Sequence, residues 1–180
     1  PDINISMENE YAFRWACISG HLEAVEWLLK IKPNINVSAE NDDAFKGACR
    51  NGHLEIVKLL LEIRPDINIS ADNEYVFVTA CCNGNFDIVK LLLEIKPDIN
   101  ISIEDDKAFR LACENGHLEF AKWLLKLKPD INICAKKDYA FVCSKLYIAK
   151  WLTHYIPHYN AKYIKTIQNI NTISSLFDLI

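Results

Sequence analysis

Apolar and polar positions alternate along this chain with a helical period, broken at regular intervals. Between Asp106 and Glu114, Phe109, Ala112 and Cys113 fall at i, i+3 and i+4, which predicts a short helix with one buried face. Asn115-Gly116 ends it, because glycine enters the left-handed conformation without steric penalty. From His117 to Lys128, Leu118, Ala121, Leu124 and Leu125 again keep helical spacing, with Glu119, Lys122 and Lys126 on the wet side. Lys128-Pro129 stops this second helix, since a residue before proline avoids helical angles. The PDINIS phrase between pairs has no helical period, and its β-branched residues predict an extended finger. Asn9, Asn41, Asn73 and Asp105 stand just before the first helix of each pair and are expected to be its N-caps.

The pattern is copied. Pro1, Pro33, Pro65, Pro97 and Pro129 are 32 residues apart, each opening a version of the same phrase. A period of this length is the mark of a stacked-repeat protein, in which each unit contacts mainly its neighbours. The expected array covers residues 1–160, with units near 1–32, 33–64, 65–96, 97–128 and a shortened 129–156; 157–180 form a helical C-terminal cap. In unit five AKWL at Ala149–Leu152 repeats Ala121–Leu124 after only 28 residues, and no glycine lies between Asp138 and Ile156. The turn there is expected to be tightened or lost, its loss leaving one longer helix.

Composition changes this picture little. With 51% hydrophobic and 24% charged residues the chain is an ordinary folded one, and no apolar run suits a membrane span. The start lacks the basic head and apolar stretch of a signal peptide, which points to an intracellular, cytoplasmic protein. Charge is uneven. Residues 1–130 hold 14 Lys+Arg and 22 Asp+Glu, net −8, whereas residues 131–180 hold 6 and 2, net +4. An acidic body argues against nucleic-acid binding, which wants a broad basic face.

Most apparent chemistry follows from copying. Cys17, Cys49, Cys81 and Cys113 share one phase; units about 10 Å apart cannot be bridged by disulfides, so they read as small core residues in a reducing compartment. His21, His53 and His117, with Asn85 in unit three, recur once per unit and cannot converge on a metal. His154, His158 and Cys143 make a weak metal suggestion. Four Asn-X-Ser sequons read as finger geometry. There is no phosphate loop, no HExxH and no nucleophile elbow, so no enzyme and no cofactor are expected. Four of the five glycines are repeat turns; Gly47, inside a first helix, makes room for a neighbouring side chain or a partner.

GHLEAVEWLLKIKPNIN (Gly20–Asn36) and GHLEIVKLLLEIRPDIN (Gly52–Asn68) resemble the ankyrin-repeat pattern G-H-L-E-x-V-x-x-L-L-x-x-G-A-D-V-N. The variant departs from it at YAFR, DAFK, YVFV and KAFR, which stand for T-P-L-H, and in its shorter period; in this it is similar to ankyrin families of giant DNA viruses, which would place it in a host cytoplasm. The resemblance implies an all-α solenoid of helix-turn-helix units with short finger loops, a concave binding face, and the glycine-turn histidines tying neighbouring turns together. It implies a monomer that binds a protein, with recruitment to a ubiquitin ligase through residues 161–180 as the alternative.

On that scaffold the candidate contacts are an acidic finger column and the variable residues before the turn glycine. The column is Glu8, Glu10, Glu40, Asp42, Asp43, Asp72, Glu74, Glu104, Asp105 and Asp106, joined at the helix starts by Arg14, Val78 and Arg110. The variable pairs are Ile18 and Ser19, Arg50 and Asn51, Cys82 and Asn83, Glu114 and Asn115. The column reads either as a docking strip for a basic segment or as local helix pairing, Glu10–Arg14, Asp42–Lys46 and Asp106–Arg110, with Glu74 unpaired opposite Val78. Unit five interrupts it with Lys136 and Lys137.

Overall fold

A computed structural model describes residues 7–155, without the side chains of Met7, Glu8, Asn73, His154 and Tyr155. The expected capping segment 157–180, and His158 with it, lie outside the described residues. Ten helices and no strand occur among the described residues. They pair as α1 (Met7–Ser19) with α2 (Leu22–Ile31), α3 (Ala39–Asn51) with α4 (Leu54–Ile63), α5 (Ala71–Cys82) with α6 (Phe86–Ile95), α7 (Ile103–Glu114) with α8 (Leu118–Leu127), and α9 (Ala135–Val142) with α10 (Leu146–Tyr155). The fold is all-α, as the periodicity predicts. The chain forms two compact units, residues 1–108 and 109–180.

In the first compact unit the opening helices pack in a row, α1 on α3 and α3 on α5, and the second helices in another, α2 on α4 and α4 on α6. Phe13, Phe45 and Phe77 are almost wholly buried at one phase, with Cys17, Cys49 and Cys81 beside them. Each phenylalanine removed from water contributes about 1.5–3 kcal/mol. In the second compact unit Phe109, Cys113, Leu124, Ile148 and Leu152 form the corresponding core. Burial pushes the thiols of Cys17 and Cys113 up to about 12, and those of Cys49 and Cys81 well up as well. All four are free thiols.

Two expectations are corrected by the backbone. The fingers are not extended but folded into two successive turns. Ile35 N–H donates to Lys32 O at 3.1 Å and Ala39 N–H to Asn36 O at 3.1 Å. Proline presets the first turn, and the Asn36 side chain accepts Ser38 N–H at 3.1 Å, closing an Asx turn. Asn68, Asn100 and Asn132 repeat this bond, so the sequon asparagine is a turn-maker. Ile35 and Val37 are thereby buried, with Asn36 exposed between them.

The second correction concerns the N-caps. Asn9, Asn41 and Asp105 do not cap helices; they sit at φ 54, 56 and 58, inside a left-handed turn. In unit two Glu40, Asn41 and Asp42 are left-handed in succession, closed by Asp42 N–H to Ser38 O at 3.2 Å. Glu104–Asp106 and Lys136–Asp138 do the same. The right-handed helix starts only after this turn. Such a conformation costs roughly 1–2 kcal/mol per residue, least for asparagine and aspartate. It recurs because its third residue is anchored: Glu10, Glu74, Asp106 and Asp138 are all more than nine-tenths buried.

Unit five keeps two helices, so its turn is tightened and not lost. Cys143 N–H donates to Tyr139 O and Ser144 Oγ to Phe141 O, both at 3.0 Å, and α10 begins at once. The four missing residues are removed from the end of α9, which spans 8 residues against 13 in α3.

Candidate protein-binding face

The left-handed turn sorts the acidic column. Its third residue points inward and binds the fold. Glu10 Oε1 accepts Lys32 Nζ at 2.5 Å and Asn36 N–H at 3.5 Å. Glu74 accepts Ser70 Oγ at 2.7 Å and Asn100 N–H at 3.3 Å, so it is not unpaired. Asp106 accepts Ser102 Oγ at 2.5 Å. Each carboxylate thus holds a finger, its own or the next one. Glu10, Glu74 and Asp106 are therefore not surface contacts, and Val78 and Arg110, 6% and 8% exposed, are not either.

The first residue of the turn points outward: Glu40, Asp72 and Glu104 are exposed, while the side chain of Glu8 lies outside the described residues. The pairing also differs from the local i, i+4 reading. Arg14 Nη1 reaches Asp43 at 2.7 Å, Lys46 reaches Asp72 at 2.6 Å, and Arg64 approaches half-buried Asp42 at 3.7 Å. The first two pairs link neighbouring repeats, because the first helices lie side by side and the next finger is nearer than the next helical turn; Arg64 and Asp42 join the end and the finger turn of one repeat. Glu104 instead pairs with Lys107 at 2.8 Å, and Glu40 accepts Asn9 Nδ2. Exposed pairs of this kind contribute about 0–1 kcal/mol.

The residues before the turn glycine divide as well. Asn51 Nδ2 donates to Ile18 O at 2.8 Å and Asn83 Nδ2 to Arg50 O at 2.7 Å, tying each turn to the one before. His53 Nε2 lies 3.0 Å from Ile18 O, and its ring lies against Gly20 so closely that any side chain there would overlap it. Asn85 stands in for this histidine by donating to Cys49 O at 2.9 Å and Arg50 O at 2.8 Å. Ile18 lies on Gly47, where a Cβ would overlap its Cγ1, so this glycine makes room for a neighbour. Ser19 and Cys82 are half-buried, and Arg50 is exposed.

In the second compact unit Glu114 accepts the Tyr139 hydroxyl at 3.0 Å, and this bond holds the phenol above its ordinary value. Arg110 lies 5.3 Å over the Tyr139 ring. Asn115 is exposed and donates to Leu111 O at 3.0 Å. Tyr147 donates to Gly116 O at 2.5 Å, the turn-to-turn role that histidine or asparagine has in other units. The four-residue deletion puts Lys145, not Tyr147, in the histidine's place, and this hides the tyrosine from the repeat pattern.

Sequence reasoning also missed the aromatic surface of the first helices. Tyr11 and Trp15 are 50% and 55% exposed and stack with centroids 6.2 Å apart and planes 7° apart. Their i, i+4 spacing beside the core positions Phe13, Ala16 and Cys17 is the signal that could have found them. Next along, an open groove of about 250 Å³ is lined by Glu40, Asn41, Asp43, Lys46, Gly47, Arg50, Asp72 and Tyr75. The Arg50 guanidinium has no hydrogen-bond or ion-pair partner among the described residues. Also among the described residues, no group of three His, Cys, Asp or Glu could hold a metal, and no helix is long and apolar enough to cross a membrane.

Comparison with known proteins agrees with this geometry. The family pattern "Ankyrin repeats (3 copies)" matches residues 1–71 and 48–136. Among solved structures, an ankyrin repeat family protein from Legionella pneumophila is similar over 96% of this chain and 48% of its own, at 25% identity and a TM-score of 0.62. The chain thus spans about half the length of that protein. The ankyrin repeat domain of human ASB11 is similar over 93% of this chain and 68% of its own, at 23% identity and a TM-score of 0.52. No curated protein sequence matches.

Proposed function

Because the chain belongs to the ankyrin-repeat family, whose repeats generally mediate protein–protein interaction, we propose that it binds a protein partner through the finger turns and first helices of units one to three. Tyr11, Trp15, Arg50 and Tyr75 form the centre of the contact, with Glu40 and Asp72 at its rim. The observation that carries this reading is the exposure of Tyr11 and Trp15 on a helix whose opposite face is packed to completion. Aromatic and arginine side chains dominate interface energies, and these have no structural task to explain their exposure. The net −8 of residues 1–130 favours a basic segment in the partner.

Capture of partners from a cell lysate, quantified for the wild type and for Trp15→Ala and Arg50→Ala, tests the reading. Both variants should keep the unfolding midpoint, and Trp15→Ala should weaken binding by about 30-fold, the loss typical of a central aromatic. Unchanged capture by both would overturn it. Glu40→Lys with Glu104→Lys tests the basic-segment part separately, with the unfolding midpoint followed alongside because Glu40 also accepts a bond from Asn9 of the preceding repeat. The adaptor reading depends on residues 161–180, and deleting them should spare capture while removing any recruited machinery.

A further inference from the structure

We propose that the partner segment taken by this face is of mixed charge: an extended stretch in which a lysine or arginine stands three or four positions from an aspartate or glutamate. This deepens the reading of units one to three as the binding face, and rests on it. Two adjoining hollows carry the inference, with Glu40 and Asn41 in the wall of both. The first, about 560 Å³, lies between the fingers of units one and two. Its wall holds two carboxylates, Glu10 and Glu40, and no lysine or arginine among the described residues. Glu10 is only 6% exposed and gives Oε1 to Lys32 and to Asn36 N–H, but its Oε2 has no hydrogen-bond partner among the described residues, nor has Ser38 Oγ in the same wall. Glu40 is exposed, accepts Asn9 Nδ2, and has no cation beside it among the described residues. A hollow with acceptors and negative charge suits an ammonium or guanidinium head group.

The second hollow, the groove of about 250 Å³ along α3, has the opposite demand. Its other charges are spent on one another or on the scaffold: Lys46 is held by Asp72 at 2.6 Å, and Asp43 by Arg14 at 2.7 Å. Arg50 alone in that wall is an exposed cation with no partner among the described residues. A lysine laid on Arg50 would meet a like charge, whereas a carboxylate would complete a pair. Tyr75, 36% exposed, gives the groove an aromatic wall, and Gly47 adds no side chain to fill it. The spacing follows from the helix. α3 turns right-handed after Asp42, so at about 1.5 Å per residue Arg50 stands roughly 10 Å along from the finger turn. An extended chain, at about 3.3 Å per residue, covers that distance in three or four positions.

The test selects phage-displayed random peptides of about a dozen residues on the whole chain. Enriched sequences should carry a basic and an acidic residue three or four positions apart. The strongest of them, labelled with fluorescein and read by anisotropy, should bind Arg50→Glu about tenfold more weakly. Changing its acidic residue to lysine should restore binding to Arg50→Glu and weaken binding to the wild type by about the same factor. Arg50→Glu should keep the unfolding midpoint, since the Arg50 side chain holds nothing in the fold among the described residues. Enrichment of uniformly basic peptides, no enrichment at all, or no rescue by the lysine exchange overturns the inference. If Trp15→Ala still lowers capture from lysate in any of those cases, the binding face stands and only the mixed-charge segment falls; if it does not, both fall.

Discussion

Units two and five are built on the same phrase and use it differently. Both fold the finger through an Asx turn, both run three residues left-handed, and both bury a phenylalanine at the same phase, Phe45 and Phe141. Unit two then runs a full first helix, ends it at Gly52 with φ 87, and ties its turn to unit one through Asn51 and His53. Unit five has no glycine, ends its helix four residues early, and makes the tie with Tyr147 on the following helix. The core position and the left-handed turn are what the scaffold cannot surrender. Helix length, turn chemistry and surface charge are what it can.

Measurements at the core, the inter-repeat contacts, the thiols and the turn tie would break or sharpen that contrast. The largest effect is expected at the shared core. Phe45→Ala should cost about 3–5 kcal/mol in urea unfolding, because first helices on both sides close over it and the cavity cannot collapse. Phe141→Ala, at a site already 6% exposed, should fall at the low end of that range. Equal losses would mean that unit five is packed as tightly as unit two.

Next come contacts specific to the regular units. Gly47→Ala should cost about 1–3 kcal/mol by driving a methyl into Ile18, and Ile18→Ala in the same chain should remove most of that penalty. A simply additive double mutant would show that helix propensity, not Ile18, sets the effect. Glu74→Ala should cost a similar amount, since it leaves the Asn100 N–H without its buried acceptor.

The thiol column gives a pH test that unit five escapes. Cys17 is raised from 9.0 to about 12 by burial. A raised folded value means that its stabilisation is complete below 9.0 and is lost as pH climbs towards 12. The loss is about 1.4 kcal/mol per pH unit for one such thiol. Cys17→Ala should flatten the alkaline stability profile by that amount at pH 10. Exposed Cys143 should react with iodoacetamide in the native state, while Cys17 and Cys49 should not.

The smallest effect belongs to the substitute tie. Tyr147→Phe removes its bond to the Gly116 carbonyl and should cost about 0.5–1.5 kcal/mol. A loss no greater than the noise would show that the fifth unit needs no tie at all.

The repeat period, the helix pairs and the cysteine column were legible in the sequence, whereas the asparagine turns were not, since β-branched residues made the fingers read as extended. Each of the first three depends on residues near one another in the chain, or on a period that copies them. Less of the candidate face was legible. Glu10, Glu40, Asp42, Asp72 and Glu74 share one acidic phrase, yet the fold buries Glu10 and Glu74 and exposes Glu40 and Asp72. That sorting follows from a left-handed turn whose residues are not glycine, a conformation that local preferences disfavour. Arg14 and Lys46 sit four residues from acids on their own helices, but bond to Asp43 and Asp72 of the next repeat.

The sequence by itself determined that this is a stacked array of helix pairs, because a repeated apolar face is buried against its own copies, and the phrases Gly20–Asn36 and Gly52–Asn68 carried the resemblance to ankyrin repeats. The tertiary structure alone decided which polar residues the fold consumes. A carboxylate's role is set by what lies across the gap from it, and what lies there is the next repeat, more than twenty residues away along the chain. Nearest neighbours in space rather than in sequence turned Glu74 and Asn83 into joints and left Trp15 and Arg50 exposed.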